Sequence, residues 1–317
     1  MLHPLVSVGM PVRNGGVLLK AAINDVLAQS WPNLEIIISD NCSSDGTQAL
    51  CEAFAREDSR IAYHRQSTTL TAYENFRFVL EQASGEFFMW AAHDDLRSAD
   101  YIERLAEALV RIPCATVTFG DLANFSDFAT ARSAPIVPYD FENTGLGFQA
   151  RLNKILCQGA GEIYGLVRRH ALDDYSWPDL DFAPDGPVLA HLAAHGDFVH
   201  VAGPRFMQYV PAAIPTPRQR ARSDSLRGLR PFRYVRLCWT TAGVATRAAT
   251  RLGERHSRIG AFVRVYAHVR PRKAVATTAA SLPDEVRLAL RPAFRAVRST
   301  WRLLTRAWQR ERPGSPR

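Results

Sequence analysis

Two adjacent carboxylates, Asp94 and Asp95, follow a short apolar run at residues 86–90. The run is typical of a buried strand, so the acids are expected where that strand ends. Ligand sites of open α/β sheets gather at such carboxyl ends. Because Mg²⁺ is usually held by one or two carboxylates together with phosphate oxygens, the pair indicates a metal that binds a diphosphate. Asp is also a good helix N-cap, and a helix is predicted from about Ala99, so this pair alone leaves both interpretations open.

The elements that must position these acids lie upstream in the chain. Residues 5–10 predict a strand that runs into a tight turn at 11–16, and apolar residues at helical spacing follow. A second strand is predicted over 34–39, with Asp40 at its end. An acid in this position commonly hydrogen-bonds the base or ribose of a nucleotide. Ser43, Ser44 and Asp45 in the next loop are interpreted as plain N-caps of the following helix.

Five segments, taken together and in order, resemble family 2 glycosyltransferases of the GT-A fold. They are VSVGMPVRNG at 6–15, IISDNCSSDGT at 37–47, SGEFF with HDD between 84 and 95, GEIYGLVRR at 161–169, and PDGP running into LAHLAAHG between 184 and 196. Each motif alone is weak, but five in register are specific for the family, though not for a substrate. The resemblance covers about residues 5–209, two thirds of the chain.

The resemblance implies a Rossmann-like α/β domain with a mostly parallel sheet flanked by helices. It also implies inverting transfer of a sugar from a nucleotide-diphosphate donor, often a UDP-sugar, to a hydroxyl of a glycan or lipid-linked acceptor. In the family's scheme Mg²⁺ or Mn²⁺ stabilises the leaving diphosphate as a Lewis acid. A carboxylate removes the proton of the acceptor hydroxyl as general base.

The family's site positions can be placed on this sequence motif by motif. The resemblance implies that Asp94 binds the metal and that Asp185 is the general base. The implied donor- and nucleotide-binding residues are Pro11, Arg13, Asp40, Asn75 and Asp95. For Asn75 a plain helix-surface asparagine is an equal alternative. The family's usual acid two residues before the metal-binding Asp is Ala92 here, so the metal motif is incomplete.

Charge divides the chain into two parts. Residues 1–217 contain 15 Lys and Arg against 26 Asp and Glu, whereas residues 218–317 contain 24 against 5. We therefore expect a catalytic domain over 1–210, a Pro-rich linker over 211–225, and a basic helical extension over 226–317. Such asymmetry indicates an anionic partner for the basic part.

The end of the basic extension has the pattern of an amphipathic helix. Phe294, Trp301 and Trp308 fall on one apolar stripe, and arginines flank it between 291 and 306. This is typical of a helix that lies on an anionic membrane surface, which we expect for residues 284–310. The alternative is a helix that packs on the domain with its arginines in water. No nucleic-acid motif accompanies the charge, so nucleic acid is not an expected partner.

The cysteines and the N-terminal residues indicate the cellular compartment in which the protein is expected. The five cysteines form no Cys-x-x-Cys pair, and no basic region followed by an apolar run marks a signal peptide. We therefore expect mostly buried free thiols and a cytoplasmic protein, peripheral on the inner face of the plasma membrane.

Two further features admit functional and plain structural interpretations. His191 and His195 are spaced for metal ligation on one helix face, but no third ligand is evident, so a partly buried helix face is favoured. Trp177 could stack on a sugar, although core packing is the default for a tryptophan.

The sequence thus predicts a glycosyltransferase. Two alternatives remain open: an inactive scaffold of a polysaccharide assembly system, and a nucleotidyltransferase. The second would need a Gly-rich loop with Arg or Lys near the N-terminus, and residues 11–16 hold one Arg and no Lys.

Overall fold

The computed structural model describes residues 3–138, 144–148, 150–152, 154, 161–178, 185–211 and seven residues between 240 and 250. Nearly all of the predicted linker and most of the extension lie outside these residues. The predicted membrane helix of 284–310 lies wholly outside them. The expectations for those segments stay predictions.

Eight strands form one sheet in the order β3-β2-β1-β4-β7-β6-β8-β5. The strands are β1 (Val6–Val12), β2 (Leu34–Asp40), β3 (Ile61–Arg65), β4 (Phe87–Trp90), β5 (Leu96–Arg97), β6 (Ala115–Phe125), β7 (Leu166–Arg168) and β8 (Asp197–Tyr209). Four neighbouring pairs are parallel, namely β1·β2, β1·β4, β2·β3 and β6·β8. The other three pairs are antiparallel. The predicted α/β class is therefore confirmed, with a sheet that is mixed.

Five α-helices whose bounds are described flank the sheet. They are α1 (Gly16–Leu27), α2 (Thr47–Glu57), α3 (Ala72–Glu81), α4 (Tyr101–Arg111) and α5 (Asp185–His195). Short 3-10 helices cover Ala131–Ser133, Gly161–Tyr164 and Arg169–Leu172. The helices predicted after the first two strands are present, and the helix predicted from about Ala99 begins at Tyr101.

Both faces of the sheet are buried, which explains why its central strands are continuously apolar. Alternate residues of a strand point to opposite faces. Accordingly Ile36 and Ile38 pack with apolar residues of α1, α2 and α4, whereas Ile37 packs with residues of α3 and α5. Val244, from the predicted extension, is buried in the same group of apolar residues as Ile37. Part of the extension therefore packs on the catalytic domain.

The three described cysteines are free but differ in burial. Cys51 is buried, and burial raises the pKa of its thiol to about 12. Cys42 is partly exposed and Cys114 is exposed, so the expectation of buried thiols fails for Cys114. No helix among the described residues has both the length and the apolar character required to cross a bilayer.

Candidate active site

The carboxyl ends of three parallel strands meet at one edge of the sheet. In the register of β1, Val12 is opposite Asp40 of β2, and Gly9 is opposite Trp90 of β4. The turn after β1, the loop after β2 and the acidic turn at 91–95 are consequently neighbours. This is the edge at which ligands bind in open α/β sheets.

The turn after β1 is fixed to the loop after β2 by three hydrogen bonds. The backbone N–H groups of residues 14, 15 and 16 donate to the side chains of Ser43 (2.8 Å), Thr47 (2.9 Å) and Asp45 (3.1 Å), respectively. Gly46 occupies the N-cap position of α2, so neither Ser43 nor Ser44 is the N-cap residue. Asp45 does bond the helix start as expected, because its Oδ1 accepts from the Thr47 N–H at 3.0 Å. The loop therefore holds the turn in shape for a ligand.

The two residues expected to wall the base pocket occupy different environments. Pro11 is buried within β1, where it lies opposite Ser39 of β2. Arg13 follows the strand and is exposed at the edge of the sheet. Only Arg13 presents its side chain to solvent there, and a nucleotide contact by either residue stays a prediction.

Asp40 is fully buried and already bonded within the protein. One carboxylate oxygen accepts from the backbone N–H of Ser43 at 2.9 Å. The other accepts from the hydroxyl of Tyr63 at 2.9 Å and from Nη1 of Arg65 at 2.6 Å. Burial and the adjacent Asp40 carboxylate raise the pKa of Tyr63. Recognition of a base by Asp40 stays a prediction, and it would have to occur beside these partners.

Sequence reasoning missed Tyr63 and Arg65, although a signal existed. They lie on β3, a short strand in which Ile61 is buried and Arg65 stands opposite Asp40 in the register. A basic residue at the end of a neighbouring strand is the natural partner of a buried acid.

Asn75 lies on α3 but faces the sheet. Its Nδ2 donates to the Ser39 carbonyl at 3.1 Å, and its Oδ1 accepts from the Ser39 hydroxyl at 2.6 Å. The side chain is buried, so the alternative of a helix-surface asparagine is wrong. These bonds join α3 to β2 just before Asp40, and a donor contact by Asn75 stays a prediction.

The two adjacent acids have different environments. Asp95 is buried, and its carboxylate accepts from the backbone N–H of Tyr209 at 2.8 Å. Burial, together with the charge of Asp94, raises the pKa of Asp95 to about 7. Asp94 is partly exposed and has no hydrogen-bond or ion-pair partner among the residues that the structure describes. Asp94 is thus the acid available to a ligand, while Asp95 anchors β8.

Arg97, which sequence analysis did not single out, lies in β5, directly after these acids in the chain. It is fully buried, its Nη2 donates to the Trp90 carbonyl at 3.3 Å, and its guanidinium lies 5.4 Å from the centre of the Phe206 ring. Within the described part of the chain, its Nε and Nη1 have no hydrogen-bond partner. Its positive charge opposes the rise in the pKa of Asp95.

Asp185 is in the first turn of α5, as the sequence predicted, and it contributes to an apolar pocket. The other residues that line this pocket are Phe76, Trp90, Ile163, Trp177 and Val188. Burial of the carboxyl group raises the pKa of Asp185 to about 6. Such a group is still mostly ionised at neutral pH but is a stronger base than an ordinary aspartate, which suits proton abstraction.

Tyr164 connects the two acidic elements. Burial is the main cause of its raised pKa, but the negative charges of Asp185, Asp95 and Asp94 each raise it further. All three carboxylates therefore lie close enough to act on one phenol. The motif at 161–169 contributed to the family resemblance, but it gave no indication that Tyr164 lies among these acids.

The surroundings of Asp94 fit a divalent metal that is coordinated partly by Asp94 and partly by the phosphate oxygens of a bound nucleotide. Asp94 offers one available carboxylate, whereas Asp95 is bonded to the backbone and has a pKa near neutrality. Mg²⁺ usually takes one or two carboxylates, phosphate oxygens and water rather than a complete protein cage. Among the described residues, no set of three metal-ligating side chains includes Asp94, so phosphate oxygens and water would have to complete the coordination.

Comparison with known proteins agrees with this architecture. The model of glycosyl transferase family 2 matches residues 7–175, more than half of the chain. A relative in Campylobacter jejuni, GalNAc(5)-diNAcBac-PP-undecaprenol beta-1,3-glucosyltransferase, is 39% identical over 93 residues, which are 29% of this chain and 30% of the relative. The matched region spans less than half the length of the curated relatives.

Three solved structures share the fold. TarS of S. aureus gives a TM-score of 0.62 at 16% identity, covering 93% of this chain and 53% of that one. Its residues 1–349 in complex with UDP-GlcNAc give 0.56 at 14% identity, covering 92% and 88%. The mannosyltransferase PcManGT from Pyrobaculum calidifontis, in complex with GDP-Man and Mn²⁺, gives 0.51 at 16% identity, covering 96% and 84%. With its sheet, its acidic strand ends and the family match, the chain belongs to glycosyl transferase family 2, a family of enzymes, and has the GT-A fold.

Proposed function

We propose that this protein transfers a sugar from a nucleotide-diphosphate donor, with inversion, to an acceptor hydroxyl in glycan or polysaccharide synthesis. The observation that carries the proposal is that Asp185 lines one pocket with Trp90, the last residue of the strand that leads into Asp94 and Asp95. A direct displacement needs two groups: one that stabilises the departing diphosphate and one that accepts the proton of the nucleophile. We assign the first role to a metal held by Asp94 and the second to Asp185.

The proposed donor is a UDP-sugar. The structure of TarS residues 1–349 that shares this fold contains UDP-GlcNAc, and PcManGT contains GDP-Man, so the same scaffold holds nucleotide sugars in those proteins. In this chain the turn after β1, with exposed Arg13, and the loop after β2 form the edge where the nucleotide would lie. The nature of the sugar is open to experiment.

Asp94 would hold Mg²⁺ or Mn²⁺ through its available carboxylate. A bound divalent ion supplies Lewis-acid stabilisation of the negative charge that develops on the leaving diphosphate. Asp95, bonded to the Tyr209 N–H, keeps the acidic turn in place against β8. The presence of Mn²⁺ in the PcManGT complex supports this assignment.

Asp185 would act as the general base. With a pKa of about 6, roughly nine tenths of its carboxyl groups are ionised at pH 7. As the acceptor oxygen forms its bond to the anomeric carbon, its proton passes to Asp185, and the bond from that carbon to the diphosphate breaks on the opposite face. The aromatic walls at Phe76, Trp90 and Trp177 would exclude water and offer flat surfaces to the acceptor sugar.

A donor panel tests the proposal. Full-length protein is incubated with UDP-, GDP- and dTDP-sugars, with Mg²⁺, Mn²⁺ or excess chelator, and release of the nucleoside diphosphate is measured. We expect release from one nucleotide class, dependent on the metal and abolished in Asp94→Asn. Undiminished release in chelator would contradict the metal assignment. Release from no donor, by a protein that also binds none, would favour the scaffold alternative.

The acceptor is proposed to be lipid-linked and the enzyme to work at the cytoplasmic membrane surface. The C. jejuni relative is named for an undecaprenol-linked acceptor. The arginine-flanked stripe between 284 and 310 would attract anionic lipid, at about 1 kcal/mol per basic residue near the surface. We expect removal of residues 283–317 to release the protein from anionic vesicles while donor hydrolysis is kept. Vesicle binding that survives both truncation and high salt would contradict this role.

A further inference from the structure

A second group of potential metal ligands lies away from the acidic strand ends. His191 Nε2 lies 3.1 Å from Asp174 Oδ1, and His195 Nε2 lies 3.6 Å from the same oxygen. The centres of the two imidazole rings are 4.5 Å apart. Among the described residues this is the only set in which three ligand atoms, one from each side chain, lie within 4.8 Å of one another.

The fold creates this cluster from two segments that are distant in sequence. His191 and His195 are one turn apart on α5, so both rings point to the same side of the helix. Asp174 follows the 3-10 helix Arg169–Leu172, which packs against α5. The expectation that the two histidines have no third ligand is therefore wrong: the missing carboxylate comes from a loop that no periodicity in the sequence connects to α5.

We propose that Asp174, His191 and His195 form a Zn²⁺ site, with water as the fourth ligand. Two imidazole nitrogens and one carboxylate are a usual three-ligand set for Zn²⁺. Imidazole ligands also favour Zn²⁺ over the Mg²⁺ expected at Asp94. The site requires neither the assignment of Asp94 nor that of Asp185, so it stands independently of the proposed transferase activity.

The protonation states suit a metal. Burial lowers the pKa of His191 to about 4 and also lowers the pKa of His195, so both rings are neutral at physiological pH. His191 Nε2 also lies 3.0 Å from the Ala171 carbonyl. A bound ion would replace that hydrogen bond. Arg247, whose positive charge contributes to the low pKa of His191, opposes a cation, so we expect weaker binding than at a four-ligand structural site.

The site would fix α5 relative to the rest of the domain. At about 1.5 Å rise per residue, His191 and His195 are roughly 9 and 15 Å along the helix from Asp185. The ion would therefore be distinct from the reacting centre. It would anchor the helix whose first turn carries Asp185, and so stabilise the fold rather than take part in the transfer.

The test uses Zn²⁺ alone and the full-length protein freed of metal with a chelator. Titration is performed in the Asp94→Asn background, so that the acidic turn contributes no binding. We expect one tight Zn²⁺ equivalent and a higher melting temperature with Zn²⁺. Co²⁺ in place of Zn²⁺ should give the visible absorption of a low-symmetry nitrogen and oxygen site.

Two variants of partly exposed ligands, His195→Ala and Asp174→Asn, avoid unfolding the core around buried His191. Each should weaken Zn²⁺ binding by more than about 100-fold, since even groups that only orient metal ligands contribute 10- to 100-fold. The matched control is His200→Ala, which removes a histidine paired with Asp121 elsewhere in the fold. Binding that is equal in all three variants, or the absence of a tight equivalent in the parent protein, overturns the proposal.

Discussion

The substitution Asp95→Asn should stabilise the protein, and increasingly so as the pH rises. Asp95 is buried, and its pKa is raised from 3.8 to about 7 by burial and by Asp94. Because the folded-state pKa lies above the unfolded value, the folded protein holds this proton more tightly. The contribution of Asp95 to stability therefore falls as the pH rises from about 4 to about 7, and is fully lost above that range.

The size of the effect follows from the same pKa. At about 1.4 kcal/mol per tenfold change, ionisation of Asp95 costs about 4 kcal/mol at pH 8 and about 1–2 kcal/mol at pH 5. An asparagine has nearly the same shape, carries no charge, and can still accept the 2.8 Å hydrogen bond from Tyr209. The increase in the free energy of unfolding that Asp95→Asn gives over the parent protein should therefore be about 2–3 kcal/mol larger at pH 8 than at pH 5.

The assay is urea unfolding followed by tryptophan fluorescence at several pH values in chelator, for the parent protein and for Asp95→Asn. The exposed Asp127→Asn serves as the matched control and should not change the pH dependence of stability. Acids remote from Asp95 titrate equally in parent and variant, so the difference between the two proteins reports Asp95 together with its coupling to Asp94. A pH dependence that is identical in both proteins would refute the argument that Asp95 is held near neutrality by burial.

Three further outcomes are expected from contacts around the site. The kcat/KM for transfer should rise about tenfold per pH unit below pH 6 and level off above it, as the Asp185 base ionises, and a profile flat down to pH 5 would contradict this. Arg65→Ala should lower the urea concentration at the midpoint of unfolding, because buried Asp40 loses a charged partner. An unchanged midpoint would mean that the ion pair adds nothing to stability. Asn75→Ala should lower the free energy of unfolding by about 1–3 kcal/mol, because its partners on β2 are left unsatisfied. The exposed Asn124→Ala should lower it by less than about 0.5 kcal/mol, and equal losses in the two variants would count against the buried contact.

Much of the fold could be predicted because it rests on local patterns. The strands at 5–10 and 34–39 were visible as apolar runs, and the helices between them as residues at helical spacing. The family motifs added the positions of Asp94 and Asp185, whose negative charges both raise the pKa of Tyr164. These features depend on residues close in sequence, which is the range over which periodicity and turn chemistry carry information.

The site's supporting contacts could not be predicted, because they join segments far apart in the chain. Nothing local indicated that Asp40 accepts from Tyr63 and Arg65, or that a loop carboxylate meets the two histidines of α5. The N-cap interpretation failed for Ser43 for the same reason, whereas it held for Asp45, which accepts from the Thr47 N–H at the start of α2. Short polar side chains often cap helices. Here the side chains of Ser43, Thr47 and Asp45 accept hydrogen bonds from the backbone N–H groups of residues 14–16, in the turn after β1.

Donor binding and transfer, measured together in two variants, test the central claim most directly. Isothermal titration gives the affinity for the donor with Mg²⁺ or Mn²⁺, and a coupled assay gives turnover with acceptor. The account predicts that Asp185→Asn binds donor normally but turns over about 10²- to 10⁴-fold more slowly, as expected for loss of a general base. Asp94→Asn should instead lose the metal-dependent part of donor binding. Near-normal turnover in Asp185→Asn, or metal-enhanced donor binding that persists in Asp94→Asn, would contradict the assignment of these two carboxylates.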